Sequence, residues 1–292
     1  MSGKKCALFG VLCFISYALL VFSDRGIRSL SPLLYGRAEF LIPTAVAFLA
    51  FFIPGFILVN LTSAKSTRQR VKPRFAELAP FAAALAFFFA SLGFFIAYFF
   101  RYNIVFPCYS AATPASSDPI ALWIIFGLVL PVCLEEYFLR GAFYRSLTRF
   151  GTVLAVCASS FFYAMLQNSM QAFWGALVTG ALFCIISDFT SSFAAVPVIR
   201  LTCILYYHIF SGFIETYSVY GLEYVFLLLN LIIMLIACYF ILLNIERFIK
   251  KGRKLNFRRI PSPAARNVFA FLINPGMLSF YVLYIMCVCD VI

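Results

Sequence analysis

The sequence predicts an all-α fold, a polytopic membrane helix bundle with about eight to nine transmembrane helices. The first observation is composition, since 64% of the 292 residues are hydrophobic and only 12% are charged. Mean hydropathy is +0.98. Soluble domains are about half apolar and a quarter charged, and a soluble chain of this length could not bury so much apolar surface. The second observation is that apolar runs long enough to cross about 30 Å of hydrocarbon recur along the chain.

These apolar runs define the predicted elements. The fifth and sixth are short and joined only by "NSMQ", so they could form a helical hairpin. The first follows Lys4 and Lys5 as a signal peptide would, but no small-residue cleavage site comes after it, and we interpret it as a span. We predict spans near 6–22, 39–62, 79–100, 120–139, 151–167, 172–188, 196–217, 223–244 and 268–289.

Basic connecting segments set the predicted orientation. Segments 64–74, 140–151 and 246–259 are rich in Lys and Arg, and they share one side if the spans alternate. The positive-inside rule makes that side cytoplasmic, with the N-terminus inside and the C-terminus outside. Segment 23–39 is a mild conflict, because it carries three Arg on the other side. We therefore predict an integral protein of the cell (inner) membrane.

The charge and the cysteines exclude two other classes. The net charge is +12, but the basic residues are dispersed among loops, which favours anionic lipid of the bilayer as their partner and not nucleic acid. Most of the ten cysteines lie inside apolar runs, and no Cys-x-x-Cys pair is present. We interpret them as small packing residues.

A few ionisable residues lie at membrane depth. "LPVCLEEYFLRGAFYRSL" begins at Leu130 and contains Glu135, Glu136 and Arg140, while His208 is the chain's single histidine. Such residues cost about 2.5–3.5 kcal/mol each to insert, so they are functional candidates. Glu136 and Arg140 can pair as i, i+4 neighbours, whereas Glu135 points about 100° away with no partner on its helix. Glu135 is the candidate general base. The alternative is a cluster that only holds helices together.

The run "EEYFLRG" resembles the opening motif of the CPBP family, the CAAX proteases and bacteriocin-processing enzymes also called the Abi family. That family carries Glu-Glu-x-x-x-Arg, then Phe-x-x-x-His in the next span, then His-x-x-x-Asn two spans later. In "ASSFFYAMLQNSM" the aligned pair is Tyr163 and Gln167, so Gln replaces the second-motif His. In "LTCILYYHIFSGFIE" His208 holds the third-motif position, and Gly212 stands where relatives often carry Asn. The resemblance covers roughly residues 118–220.

The resemblance implies an intramembrane endopeptidase of the glutamate type. Transferred by position, Glu135 is the general base and Gln167 occupies the place of its partner His. His208 would face the oxyanion, and Gly212 marks the oxyanion-region position. Gln cannot accept and release a proton at neutral pH. Losing an oxyanion donor costs about 10²–10³ in rate, so the two departures predict weak, altered or absent activity.

The i, i+4 spacing makes Glu136 the structural acid held by Arg140, and the resemblance gives Arg140 the role of bracing the site. It implies no cofactor and no metal, and a single histidine argues against a zinc site built from His ligands. It also divides the chain. The expected parts are N-terminal transmembrane helices with a basic cytoplasmic loop (1–117), a CPBP-like intramembrane protease core (118–220), and C-terminal transmembrane helices with a basic loop at 245–267 (221–292).

Three functions stay open at this point. The first is an endopeptidase that cuts a peptide or protein substrate of unknown sequence near the cytoplasmic face. The second is a non-catalytic member of the same fold, acting in immunity, scaffolding or partner binding. The third is a transporter with a buried acid relay, although the chain shows no matched pair of broken helices in two halves, which transporters of that kind carry.

Overall fold

The structure, a computed structural model, describes residues 3–34, 41–62, 75–100, 120–148, 151–167, 170–190, 194–218, 220–252 and 271–289. Each predicted apolar run holds a helix, and these ranges contain no strand, so the all-helical architecture is confirmed. The helices are α1 Gly3–Leu34, α2 42–62, α3 Phe75–Phe100, α4 120–147, α5 Thr152–Met165, α6 Met170–Thr190, α7 Ala195–Ser218, α8 Glu223–Gly252 and α9 Pro275–Val288.

Two helical stretches in the described ranges, Ala195–Ser218 and Glu223–Glu246, are long and apolar enough to cross a membrane. The number of bilayer crossings stays a prediction, because the other apolar stretches are shorter. These are Ala7–Ser23, Thr44–Asn60, Pro80–Ile96, Thr152–Met165, Phe173–Asp188 and Pro275–Val288.

The helix boundaries differ from the predicted spans most clearly in α1. The sequence predicted an end near residue 22, but α1 continues to Leu34. Apolar composition indicates where a helix leaves the hydrocarbon, whereas backbone hydrogen bonding decides where the helix ends. The helix α1 therefore continues through the polar residues after 22. The short fifth and sixth runs do pack against each other as α5 and α6, which confirms the helical hairpin. The basic segment 64–74 and residues 253–259 lie outside the described ranges.

Pro131 shapes the N-terminal half of α4. Proline has no amide N–H, and its ring clashes with the carbonyl four residues earlier. The preceding turn, Trp123–Val129, widens to π-helical geometry. In a π-helix a carbonyl accepts from the backbone N–H five residues later, and for Phe126 that position is Pro131. The nitrogen of Pro131 has no hydrogen to donate. The Thr44 hydroxyl of α2 donates to the Phe126 carbonyl, and the proline thereby ties α4 to α2.

Two apolar clusters fill the bundle, and α4 contributes to both. One lies mainly among α1, α2, α5 and α9, and it includes Phe138 and Phe143 of α4. The other lies mainly among α3, α6 and α7, and it includes Leu128 and Val132 of α4. The residues of α4 between Val132 and Phe138 therefore lie where the two apolar halves meet.

A close glycine contact joins α1 and α9. Gly10 of α1 and Gly276 of α9 allow close backbone approach, because a Cβ at Gly276 would collide with the backbone of Gly10. Glycine contacts of this kind are common between membrane helices.

A closed polar network joins α3, α7 and α8. Ser91 Oγ donates to Tyr206 Oη at 3.2 Å, Tyr206 Oη donates to Asn230 Oδ1 at 2.5 Å, and Asn230 Nδ2 donates to the Ser91 carbonyl at 3.2 Å.

Candidate active site

The two acids lie at the junction of the apolar clusters. Glu135 and Glu136 end the α-helical stretch Leu130–Glu136, and they are 1% and 0% exposed. Arg140, 2% exposed, lies in the π-helical turn Tyr137–Tyr144 that follows at once. Wide turns of this kind are frequent at functional sites. Arg140 Nη1 donates to Glu136 Oε1 at 3.2 Å, which is the pair that the i, i+4 spacing predicts.

The tertiary structure supplies Glu135 with a partner from α7. Arg200 is completely buried, and its Nη1 donates to Glu135 Oε1 at 3.0 Å and to Glu136 Oε1 at 2.6 Å. Glu135, for which the sequence indicated no partner on its own helix, is thus paired with an arginine of another helix. Two carboxylates now face two guanidinium groups. We call Glu135, Glu136, Arg140 and Arg200 the ion cluster.

Sequence reasoning missed Arg200, although a usable signal was present. Two buried acids and one buried base leave an excess negative charge, and a buried charge is costly unless it is paired. A second buried cation had to come from another apolar run. Arg200 lies inside the run predicted at 196–217 and was the available candidate there.

Tyr163 of α5 packs against both guanidinium groups. The Cζ of Arg140 lies 4.8 Å from the centroid of the Tyr163 ring, and the Cζ of Arg200 lies 5.2 Å from it. Arg140 also lies 5.5 Å from the centroid of the Phe183 ring of α6. Cation–π contacts contribute about 0.5–2 kcal/mol each, with the larger values at desolvated sites. The aromatic ring that opens the second motif therefore holds the ion cluster in place.

Gly180 lets α6 approach the same point. A Cβ on Gly180 would lie 3.0 Å from Tyr163 Cδ1 and 3.1 Å from Ser160 Cα. The Gly180 carbonyl accepts a long hydrogen bond from Arg140 Nη2 at 3.5 Å. A side chain at this position would push α6 away from the ring and from the arginine.

Gln167, which stands in the place of the second-motif His, lies just beyond the end of α5. Its Nε2 donates to the Tyr163 carbonyl at 3.1 Å. Its Oε1 is buried and has no hydrogen-bond partner among the described protein atoms. Gln167 is about one helical turn, or about 6 Å, from Tyr163 along the chain. The amide is thus bonded to the backbone of Tyr163, the residue whose ring contacts the ion cluster.

His208 and Gly212 lie at another level of α7. The His208 ring is half-buried and contacts the Trp123 ring of α4, with centroids 5.9 Å apart at 86°. His208 follows Arg200 by eight residues, about 12 Å along the helix. Gly212 is exposed, and a Cβ there would meet no atom within 4 Å.

The contacts therefore group the predicted residues into two levels of the bundle. Glu135 lies at the level of Arg200, and His208 lies at the level of Trp123. The convergence of Glu135, Gln167 and His208 on one cavity stays a prediction. Within the described residues, no three His, Cys, Asp or Glu side chains are placed to hold a metal ion.

The helices that carry the three motif positions, α4, α5 and α7, contribute to one buried site through the ion cluster and Tyr163. Residues 117–206 match the Rce1-like family, "Type II CAAX prenyl endopeptidase Rce1-like". The predicted CPBP resemblance is thereby confirmed over this Rce1-like segment, in a membrane-embedded family. The match covers just under a third of the chain and ends two residues before His208. No curated protein and no solved structure matches the chain.

Proposed function

We propose that this chain is a membrane-embedded endopeptidase of the CAAX type. The observation that carries the proposal is the buried ion cluster, which holds Glu135 where α4, α5 and α7 meet inside the Rce1-like segment. Placing a charged side chain at membrane depth costs free energy. Two buried acids paired with two buried bases therefore indicate a functional site. Apolar clusters surround the site, and a surrounding of low dielectric constant strengthens the electrostatic interactions within it.

Glu135 is the general base of the proposed reaction. Its carboxylate takes a proton from a water molecule, and the water oxygen attacks the carbonyl carbon of the scissile peptide bond. The tetrahedral intermediate then collapses, the C–N bond breaks, and the proton passes from Glu135 to the leaving amine. Arg200 fixes Oε1 of Glu135 at 3.0 Å, which sets the direction of the carboxylate. Glu136, held by both arginines, supports this arrangement.

We propose that the substrate is a peptide or protein cut near the cytoplasmic face of the cell (inner) membrane. The basic segments favour an orientation with the N-terminus in the cytoplasm, across eight to nine crossings. The membrane-capable stretches Ala195–Ser218 and Glu223–Glu246 support this placement. The bilayer itself is then the partner of the exposed apolar side chains.

A non-catalytic protein of the same fold is the second candidate. It is favoured by the geometry of two side chains. Both glutamates are already bonded to arginine, and the Gln167 amide donates to the Tyr163 carbonyl of its own chain segment. In that case the ion cluster holds the helices together, and the fold binds a partner without cutting it.

Cleavage that depends on Glu135 separates the two candidates. The probe is a quenched fluorescent, farnesylated peptide with a C-terminal CAAX sequence, presented to purified protein in liposomes. We expect Glu135→Gln to lower the rate by about 10²-fold or more. The control Glu215→Gln changes an exposed glutamate on α7 and should leave the rate unchanged. Equal rates for Glu135→Gln and native protein would exclude the general base, and native protein that binds the peptide without cutting it would favour the second candidate.

A further inference from the structure

Unpartnered polar atoms gather at the ion cluster. Among the described protein atoms, the buried side-chain atoms without a hydrogen-bond partner include Glu136 Oε2, Arg140 Nε, Tyr163 Oη and Gln167 Oε1. Leaving such a group buried and unbonded costs about 1–3 kcal/mol, and folded proteins keep few of them. Arg140 Nε is a donor, Glu136 Oε2 and Gln167 Oε1 are acceptors, and the Tyr163 hydroxyl can donate and accept. These atoms leave hydrogen-bonding capacity unused inside an otherwise apolar bundle.

Among these residues, Tyr163 has a side chain whose ring is fixed by several contacts. The ring is completely buried, its centroid lies 4.8 Å from the Cζ of Arg140 and 5.2 Å from the Cζ of Arg200, and Gly180 lies against its edge. All four charges of the ion cluster act electrostatically on the hydroxyl. A guanidinium group has no acceptor, so neither arginine can accept the hydroxyl proton. Glu136 Oε2 and Gln167 Oε1 are acceptors, but neither is hydrogen-bonded to the hydroxyl in the structure, and its proton is therefore available to an acceptor on a substrate.

The position of Tyr163 suits a donor to the reacting oxygen. An oxyanion donor must lie about 2.7–3.1 Å from the oxygen that water attack creates, and that oxygen forms beside Glu135. Arg200 contacts both Glu135 and the Tyr163 ring, so acid and phenol share one level of the bundle. His208 lies about 12 Å farther along α7 than Arg200, and Gly212 offers no side-chain donor.

We propose that the Tyr163 hydroxyl is a catalytic hydrogen-bond donor to the carbonyl oxygen of the scissile peptide bond. This inference rests on the proposed endopeptidase function and adds a residue to it. The phenol keeps its proton throughout and stabilises the oxyanion by hydrogen bonding alone. The second motif of the resembled family opens with Phe, so the hydroxyl is a departure of this chain from that motif. It provides a donor in a chain that carries Gly at the oxyanion-region position 212.

The kinetic test is Tyr163→Phe, which removes one oxygen and keeps the ring against both arginines. We expect kcat/KM for the farnesylated CAAX peptide to fall by about 10–10³-fold, with the rise in KM limited to about tenfold because one hydrogen bond to the substrate carbonyl is lost. Thermal stability should be unchanged or higher, because an unpartnered buried hydroxyl is removed. Tyr206→Phe is the matched control. Its hydroxyl is bonded to Ser91 and Asn230, so stability should fall while kcat/KM is unchanged.

A binding cycle gives the same information without cleavage. In a Glu135→Gln background, the farnesylated peptide is compared with an isostere in which a methylene replaces the scissile carbonyl. We expect the carbonyl peptide to bind about tenfold more tightly to the protein with Tyr163, and the ratio to fall to about one after Tyr163→Phe, as for one lost hydrogen bond. A collapsed ratio supports the donor even if native protein does not cut.

Two other outcomes would contradict the donor role of Tyr163. If native protein cuts the peptide while kcat/KM and the binding ratio are the same after Tyr163→Phe, the donor role is wrong and the endopeptidase stands. If native protein neither cuts nor binds the peptide, the endopeptidase proposal fails, and the donor role fails with it.

Discussion

Replacing Arg200 with glutamine tests the ion cluster directly, because it removes one charge and little volume. In the native protein Arg200 Nη1 lies 3.0 Å from Glu135 Oε1 and 2.6 Å from Glu136 Oε1. Arg140 makes one carboxylate contact, at 3.2 Å. After Arg200→Gln two buried carboxylates face one buried guanidinium group. The lost positive charge is therefore the one bonded to both acids.

The size of the effect follows from this geometry. Removing one partner of a buried ion pair costs about 3–5 kcal/mol, because the remaining charge stays buried. Loss of the contact with the Tyr163 ring costs about 0.5–2 kcal/mol more, and the glutamine amide restores part of the total by donating to a carboxylate. We expect the free energy of unfolding to fall by about 3–5 kcal/mol. The fall should exceed that of Arg140→Gln.

The assay is denaturant unfolding in detergent micelles. Arg200→Gln combined with Glu135→Gln removes one charge of each sign and should be more stable than the sum of the two single changes predicts. The reasoning fails if Arg200→Gln is as stable as native protein, or if the two changes are simply additive.

Three further predictions concern the two acids, the second motif and the contact between α1 and α9. Glu136→Gln should lower unfolding free energy more than Glu135→Gln, because Glu136 is bonded to both arginines; equal losses would contradict this division of roles. Gln167→His should raise hydrolysis by up to about 10²–10⁴-fold, with a new rate dependence around pH 6–7, measured against Glu135→Ala as the blank. A gain without that pH dependence would argue against an imidazole base. Gly276→Ala should lower the melting temperature, because a Cβ at this position collides with the backbone of α1. The control is Gly26→Ala, whose Cβ would meet no atom within 4 Å. Equal melting temperatures for the two variants would show that the contact between α1 and α9 accommodates the added methyl group.

The sequence alone determined the helices and one ion pair. Apolar runs predicted each helix, because a chain in hydrocarbon must satisfy its own backbone hydrogen bonds and a helix does so within one segment. The pairing of Glu136 with Arg140 was equally local, since residues four apart are neighbours on any helix. The order of the motifs along the chain was sufficient to indicate the family that residues 117–206 match.

Only the tertiary structure decided which partners reach Glu135. Arg200 lies 65 residues away in sequence, and its contact depends on the rotation and register of α7 against α4. The same register places His208 beside Trp123, one level away from the ion cluster. Helical periodicity shows which residues share a face of one helix, but the pairing of faces between helices depends on how all their side chains pack together, and a single sequence does not display that packing.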